Sequence, residues 1–344
     1  PEGIPWSEKS SPLSKSMRVP DEYSRGFSAL FLSCCVEIKQ GIMMNHFPKI
    51  VFTILHYCVP QETAACIESI LSTVACENYD IVVVDNASPD SSGPLLRDKY
   101  AAFRNVHFLL NETNEGFARG NNAGYRYARE QLKADFLVML NNDCIMTQKD
   151  FIRKLLQIYG RTPFHLLGPD IITPGGEHRN PHRMTNFSRR DINRIIRNRT
   201  MILLYLRLKR LLHIENKILL IEKWDEQRSR KERGAVIRNL PQQNVVLQGS
   251  CLIFSPDYLR QEKEALCPDT FMWLEEEILF YMCMQKDYVI RYSPEIQILH
   301  SEEASTKRSW DSFGRYLFFS EQLRNSAVVF RNIMDCCESG EKKR

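Results

Sequence analysis

Ile81–Asp85, IVVVD, is an unbroken apolar run that closes on a carboxylate, and a turn, NASPDSSG (86–93), follows it. A strand with one wet face would alternate apolar and polar residues. A run apolar on both faces is the pattern of a strand buried between helices in a parallel sheet. The same punctuation extends outward from it. Ile50–His56 reads as a strand and Glu62–Val74 as a helix. A helix follows the 86–93 turn to about Tyr100, Val106–Leu110 is a third strand, and Gly116–Lys133 is a loop opening into a helix. Phe136–Leu140 is a fourth strand and Lys149–Tyr159 a helix. Alternation of this kind predicts an α/β fold with a doubly wound, mostly parallel sheet and flanking helices, and ligands in such sheets bind beyond the carboxyl ends of the strands. Asp85 and Asp143 both fall there.

Around 168 the pattern turns loop-like, GPDIITPGGEHRNPHR. Residues 188–238 then carry fifteen Lys and Arg against six Asp and Glu, a local net of +9 that leaves the rest of the chain at −5. Ile192, Ile195, Ile196, Ile202, Leu203, Leu206, Leu211 and Leu212 recur there at helical spacing, which predicts a basic helical insertion. The α/β pattern resumes at Asn244–Phe254, and 311–336 reads as a terminal helix. The expected organisation is an extension over 1–46, a first α/β half over 47–145, a second half over 146–310 containing the insertion at 188–238, and a C-terminal helix over 311–344. Residues 1–42 are rich in Ser and Pro without a period, so the folded region is expected to start near Met44.

The chain has 344 residues, enough to bury a substantial core, and a formal charge of only +4, which argues against a nucleic-acid binder. Its eleven cysteines are scattered, odd in number and without a CxxC pair, the pattern of reduced thiols in a cytoplasmic protein. No apolar stretch is long enough to span a bilayer, and Gly26–Val36 lacks the length and cleavage site of a signal peptide. Attachment, if any, is expected through the basic insertion, on the anionic inner face of the plasma membrane.

Four segments carry candidate chemistry. Asp85 can accept from a base N–H or ribose hydroxyls; its plain alternative is a turn cap. NETNEGFARGNNAGYRYA (111–128) sets Gly116, Gly120 and Asn121–Asn122 at a helix start, where glycine permits close backbone approach and the helix N-terminus favours phosphate. LNND (140–143) ends a strand on Asp143, a hard carboxylate suited to Mg²⁺ or Mn²⁺, or else a helix cap. EEEILFYMCMQKDYVIRYSPEIQILH (275–300) opens an apolar helix on three glutamates and ends a strand on His300. Read alone, the glutamates are a solvated helix start, favoured there by the dipole. An Asp and a His suited to a metal, with a separate carboxylate free to act as base, suggest group transfer from a phosphate-bearing donor.

Together these segments resemble the inverting family-2 glycosyltransferases, rhamnosyltransferase-like and capsule-type members in particular. The likeness covers about 48–310 outside 188–238, and its specific parts are 111–128 and 269–300. It implies a GT-A type sheet and transfer of a sugar from a UDP- or dTDP-sugar to a glycan or lipid-linked acceptor, with inversion, in cell-surface polysaccharide synthesis. VVVDNASPDSS matches the first nucleotide-contacting Asp, so the resemblance implies donor contacts at Asp85, Asn86, Gly116, Arg119, Asn122, Asn141 and Asn142. It implies metal ligation by Asp143 and His300, a base at Glu276, and a structural or acceptor-binding role for Glu275. Gly249–Ser250 resemble a Gly-small turn near the acceptor, and Trp273 can stack on a sugar. The chain departs from the pattern at Asn141, which replaces the first acid of Asp-x-Asp, at Met282 in place of Arg, at Asp287 in place of Gly, and at Glu276, one methylene longer than the usual Asp. These departures keep open an inactive sugar-binding relative. A nucleotidyltransferase is a further alternative, although HYCVPQET (56–63) lacks the Gly-rich, Lys-bearing loop that reading needs.

Overall fold

The computed structural model describes residues 47–74, 78–212, 238–301 and 312–341. The proposed extension at 1–46 and the second part of the basic insertion, 213–237, lie outside them. Among the described residues the strands are β1 (Ile50–His56), β2 (Tyr79–Asp85), β3 (Val106–Leu110), β4 (Phe136–Asn141), β5 (Cys144–Ile145), β6 (Leu166–Ile172), β7 (Gln242–Gln243), β8 (Cys251–Phe254) and β9 (Ile290–His300). The helices are α1 (Pro60–Thr73), α2 (Ser92–Lys99), α3 (Gly116–Glu130), α4 (Phe151–Arg161), α5 (Arg189–Leu211), α6 (Pro256–Gln261), α7 (Glu275–Gln285) and α8 (Ser312–Glu341).

The strands form one sheet in the order β3-β2-β1-β4-β8-β6-β9-β5, with β7 also on β9. β1 to β4 are mutually parallel, β8 runs against both β4 and β6, and β6 and β9 are parallel. The sheet is thus doubly wound and mostly parallel, as the alternation predicts. It runs unbroken across the expected boundary at 145, because β4 pairs with β8 and β5 with β9. Val82, Val83 and Val84 are buried, as a strand covered on both faces requires. Tyr125 and Phe254 meet edge-to-face at 5.6 Å, packing α3 onto β8.

The loop reading around 168 is corrected: Leu166–Ile172 is a strand buried along most of its length. Gly168 and Pro169 are poor strand formers, but long-range pairing decides the matter. β6 pairs with β9 on both sides of a register shift between Pro169 and Asp170, where Ser293 and Gln297 are the successive partners, so Pro294 sits in the irregularity and withholds no ladder bond. α5 begins at a capping box in which Ser188 and Asp191 satisfy each other's backbone N–H. Its inner face buries Ile192, Leu203 and Leu206; Ile192 clusters with Phe330 of α8, and Leu206 with Phe313 and Tyr316.

Candidate active site

The sheet register brings the predicted strand ends together. His56 lies opposite Asp85, and Leu55 lies opposite Asn141, so β2 and β4 end on either side of β1. β5 then turns back onto β9 with Cys144 opposite His300. This short pairing delivers Asp143 to the end of β9, where His300 Nε2 lies 3.1 Å from Asp143 Oδ1 and Ser301 N–H donates to the Asp143 carbonyl. Asp143, Cys144 and His300 each offer a ligand atom, all within 4.8 Å of one another, and all three residues are buried. His300 Nδ1 is buried without a partner. Burial pushes the Cys144 thiol well up, so it stays protonated, and it donates to the Ser250 carbonyl at 3.2 Å. With the thiol spent, a carboxylate oxygen and an imidazole nitrogen remain. That donor set fits Mg²⁺ or Mn²⁺ completed by phosphate oxygens better than it fits a thiolate metal.

The acidic end of α7 is joined to this group through residues 248–250. Gly249 N–H donates to Glu276 Oε1 at 3.1 Å, and the next carbonyl, of Ser250, accepts from Asn141 N–H at 2.9 Å as well as from Cys144. A Cβ on Gly249 would fall inside the Glu276 carboxyl, so this approach needs glycine. Burial raises the Glu276 carboxyl's affinity for a proton, while backbone N–H groups, including that of Gly249, pull the other way. Glu275 is more deeply buried. Desolvation first, and the charge of Glu276 second, push it up to about 8. Its Oε1 has no partner. Glu277 is buried with His182 Nε2 at 3.7 Å. The backbone delivering this helix start is strained, with Trp273 and Leu274 consecutively at φ 71° and 68°. Trp273 packs edge-on against Phe318 and Phe319 of α8, at 6.1 and 4.8 Å, which holds that turn.

On the Asp85 side the polar groups are largely bonded to one another. Asp85 Oδ1 accepts from the Ser88 N–H and hydroxyl. Asn86 Nδ2 donates to Asn114 Oδ1 at 2.9 Å and to the Gly116 carbonyl at 3.1 Å, and its Oδ1 accepts from Asn111 Nδ2 and Glu115 N–H. Gly116 and Asn122, expected at the donor, also have partners within the chain. Gly116 N–H is spent on Asn114 Oδ1 and Phe117 N–H on the Phe271 carbonyl, so two of the helix's free N–H groups are closed by protein rather than left for phosphate. Gly116 is required because its φ is +80° and a Cβ would strike the Phe271 carbonyl. Asn122, fully buried, clamps 265–266: Oδ1 accepts from both N–H groups and Nδ2 donates to the Leu266 carbonyl. Arg119 donates from Nε to the Pro268 carbonyl and is otherwise exposed. Asn142 Nδ2 donates to Thr63 Oγ1 at 3.1 Å.

Two residues escaped the motif reading. Cys144 sits inside the Asp143–His300 group, and its position directly after LNND was the available signal. His56 is buried between the two strand ends, with Nδ1 2.7 Å from Thr63 Oγ1 and Nε2 2.8 Å from Ser92 Oγ. Burial lowers its proton affinity despite the nearby Asp85, so the ring is neutral. Ser92 in turn donates its hydroxyl to Asp90, and Thr63 its hydroxyl to the Val59 carbonyl. The line Asn142–Thr63–His56–Ser92–Asp90 thereby ties the LNND turn to the 86–93 turn. A histidine closing a central strand was its one sequence signal.

The chain is similar to several known proteins over part of its length. Residues 51–219, just under half of the chain, match the family model described as Glycosyl transferase family 2. The low-salt glycan biosynthesis hexosyltransferase Agl10 of Haloferax volcanii is 31% identical over 97 residues, 28% of this chain and 30% of that protein. The dTDP-rhamnosyl transferase RfbF of Shigella flexneri is 28% identical over 115 residues, 33% and 37% of the two chains. The chain thus spans about a third of the length of these curated relatives. Among solved structures, GalNAc-T7 with UDP, GalNAc and Mn²⁺ aligns over 75% of this chain and 44% of its own at 12% identity, with a TM-score of 0.48.

Proposed function

From the premise of a match to glycosyl transferase family 2, we propose that the chain moves a sugar from a UDP- or dTDP-sugar to a hydroxyl of a glycan or lipid-linked saccharide, inverting the anomeric centre, in cell-surface polysaccharide synthesis. The observation that carries this reading is the shared frame at 248–250. One peptide N–H holds the Glu276 carboxylate, and the next carbonyl holds the turn that bears Asp143.

Glu276 acts as general base. Its carboxylate takes the proton of the acceptor hydroxyl as that oxygen bonds to the anomeric carbon and the bond to the nucleoside diphosphate breaks on the opposite face. Partial burial raises its proton affinity toward that of a working base, and the Gly249 N–H fixes its direction. Asp143 and His300 would hold Mg²⁺ or Mn²⁺, which when bound offsets charge on the leaving diphosphate. Asp85 and Arg119 address the nucleotide and the diphosphate, with Asn141 and Asn142 beside them. Glu275, neutral at pH 7 and without a partner on Oε1, lines the acceptor side.

The test is release of nucleoside diphosphate from a panel of UDP-, dTDP- and GDP-sugars, with Mn²⁺, Mg²⁺ or EDTA, for the native chain and for Asp143→Ala. Metal-dependent release from one donor, lost in Asp143→Ala, supports the reading. Pyrophosphate as product points to a nucleotidyltransferase. Donor binding by calorimetry without turnover, whatever acceptor is supplied, points to an inactive relative.

A further inference from the structure

α5 presents two apolar faces. The inner one, with Ile192 and Leu206, is covered by α8. On the opposite side Met201, Leu204, Tyr205, Leu208, Leu211 and Leu212 are exposed, Met201 by 64% and Leu211 by 75%. At 3.6 residues per turn these six side chains fall within an arc of about 120°, centred roughly opposite the buried face. Arg190 and Arg197 project along the same arc one to three turns nearer the N-terminus, and both are exposed. Arg207 and Lys209 flank it. A monomeric soluble protein rarely leaves so contiguous a stripe in water.

We propose that this outer stripe of α5 is a docking surface for an anionic lipid bilayer. The helix would lie in the headgroup plane, its leucines reaching the acyl boundary and its arginines paired with lipid phosphates. Charge decides in favour of this occupant. A second copy packed antiparallel would bury Arg190 and Arg197 against the partner's leucines, and a parallel copy would set arginine against arginine; both are costly. Anionic headgroups satisfy the arginines and leave the leucines to hydrocarbon. No helix among the described residues is long and apolar enough to cross a membrane. The surface is also coupled to the acidic helix: Arg199 of α5 lies over the Phe319 ring at 4.9 Å, and Phe319 packs on Trp273, two residues before Glu275. The docking surface rests on the geometry of α5 and does not depend on the transferase reading.

The test is flotation of the full chain with vesicles of phosphatidylcholine alone and of phosphatidylcholine with phosphatidylglycerol, beside sedimentation velocity without lipid. The native chain should be monomeric and should partition at least tenfold better onto the anionic vesicles. The triple variant Leu204→Ser, Leu208→Ser, Leu211→Ser should lose most of that partitioning. Arg190→Gln with Arg197→Gln should weaken it on the order of thirtyfold, from about 1 kcal/mol per surface arginine. Both variants alter exposed side chains, so an unchanged urea midpoint confirms that the fold is retained. Equal partitioning onto the two vesicle types, none onto either, or self-association abolished by the leucine variant would each overturn the proposal.

Discussion

The two ends of the site solve the same problem differently. At the Asp85 end, the Asn86 side chain alone makes four hydrogen bonds to other parts of the chain. At the Glu276 end, Glu275 Oε1 and His300 Nδ1 are buried without partners and carboxylates crowd one helix start. Strain is common to both, with Ala87 and Ser91 in the left-handed region on one side and Trp273 and Leu274 on the other. What differs is polar satisfaction. A group left unmet in the folded chain costs stability until something arrives to meet it. The Asp85 end is therefore built for rigidity, and the Glu276 end withholds stability for chemistry.

Substitutions at the Glu276 end should accordingly change rate or recover withheld stability, and those at the Asp85 end should lose stability. The largest effect is expected at Glu276→Gln. It is nearly isosteric and still presents an oxygen to Gly249 N–H, so donor affinity by calorimetry should hold while turnover falls on the order of 10²–10⁴-fold. Turnover near the native level would end the base assignment.

Next comes Glu275→Gln, read as stability against pH. The folded-state value of Glu275, about 8, stands above its ordinary 4.5. Below the ordinary value the group is neutral in both states and costs nothing. As pH rises from there through the folded value, the unfolded chain ionises freely while the fold resists, so stability is progressively lost. The sum is on the order of 4 kcal/mol above pH 8. Gln does not titrate. Its advantage over the native chain in urea midpoint should therefore grow from about pH 5 to about pH 9. A constant difference across that range would show that Glu275 is solvated.

The smallest effect belongs to Asn86→Ala. It should cost about 2–3 kcal/mol by orphaning the Gly116 carbonyl and Glu115 N–H, with a modest change in kcat. A collapse in kcat with native stability would reverse the contrast drawn between the two ends.

The parts of this design that were readable beforehand are those written in local pattern. β1 to β4 follow from apolar runs and turns, and Asp143, Glu276 and His300 stand at the ends of such runs. Other features depend on partners far along the chain. β6 is a strand because β9 pairs with it, against the preferences of Gly168 and Pro169. Asn122 clamps residues some 140 positions away, a task its motif does not announce. His56 gains its place only when Thr63 and Ser92 close around it. A helical period revealed the inner face of α5, but nothing local distinguishes a face covered by α8 from one left bare.

Gly249 has one more consequence, for how sequences of this kind can diverge. Its missing side chain is the space the longer glutamate at 276 occupies, so the two positions share a single volume. An aspartate at 276 withdraws the carboxylate by one methylene and frees that volume. Drift at either position is then conditional on the other: a relative with alanine at 249 should carry the shorter acid, and one that keeps the longer acid should keep glycine.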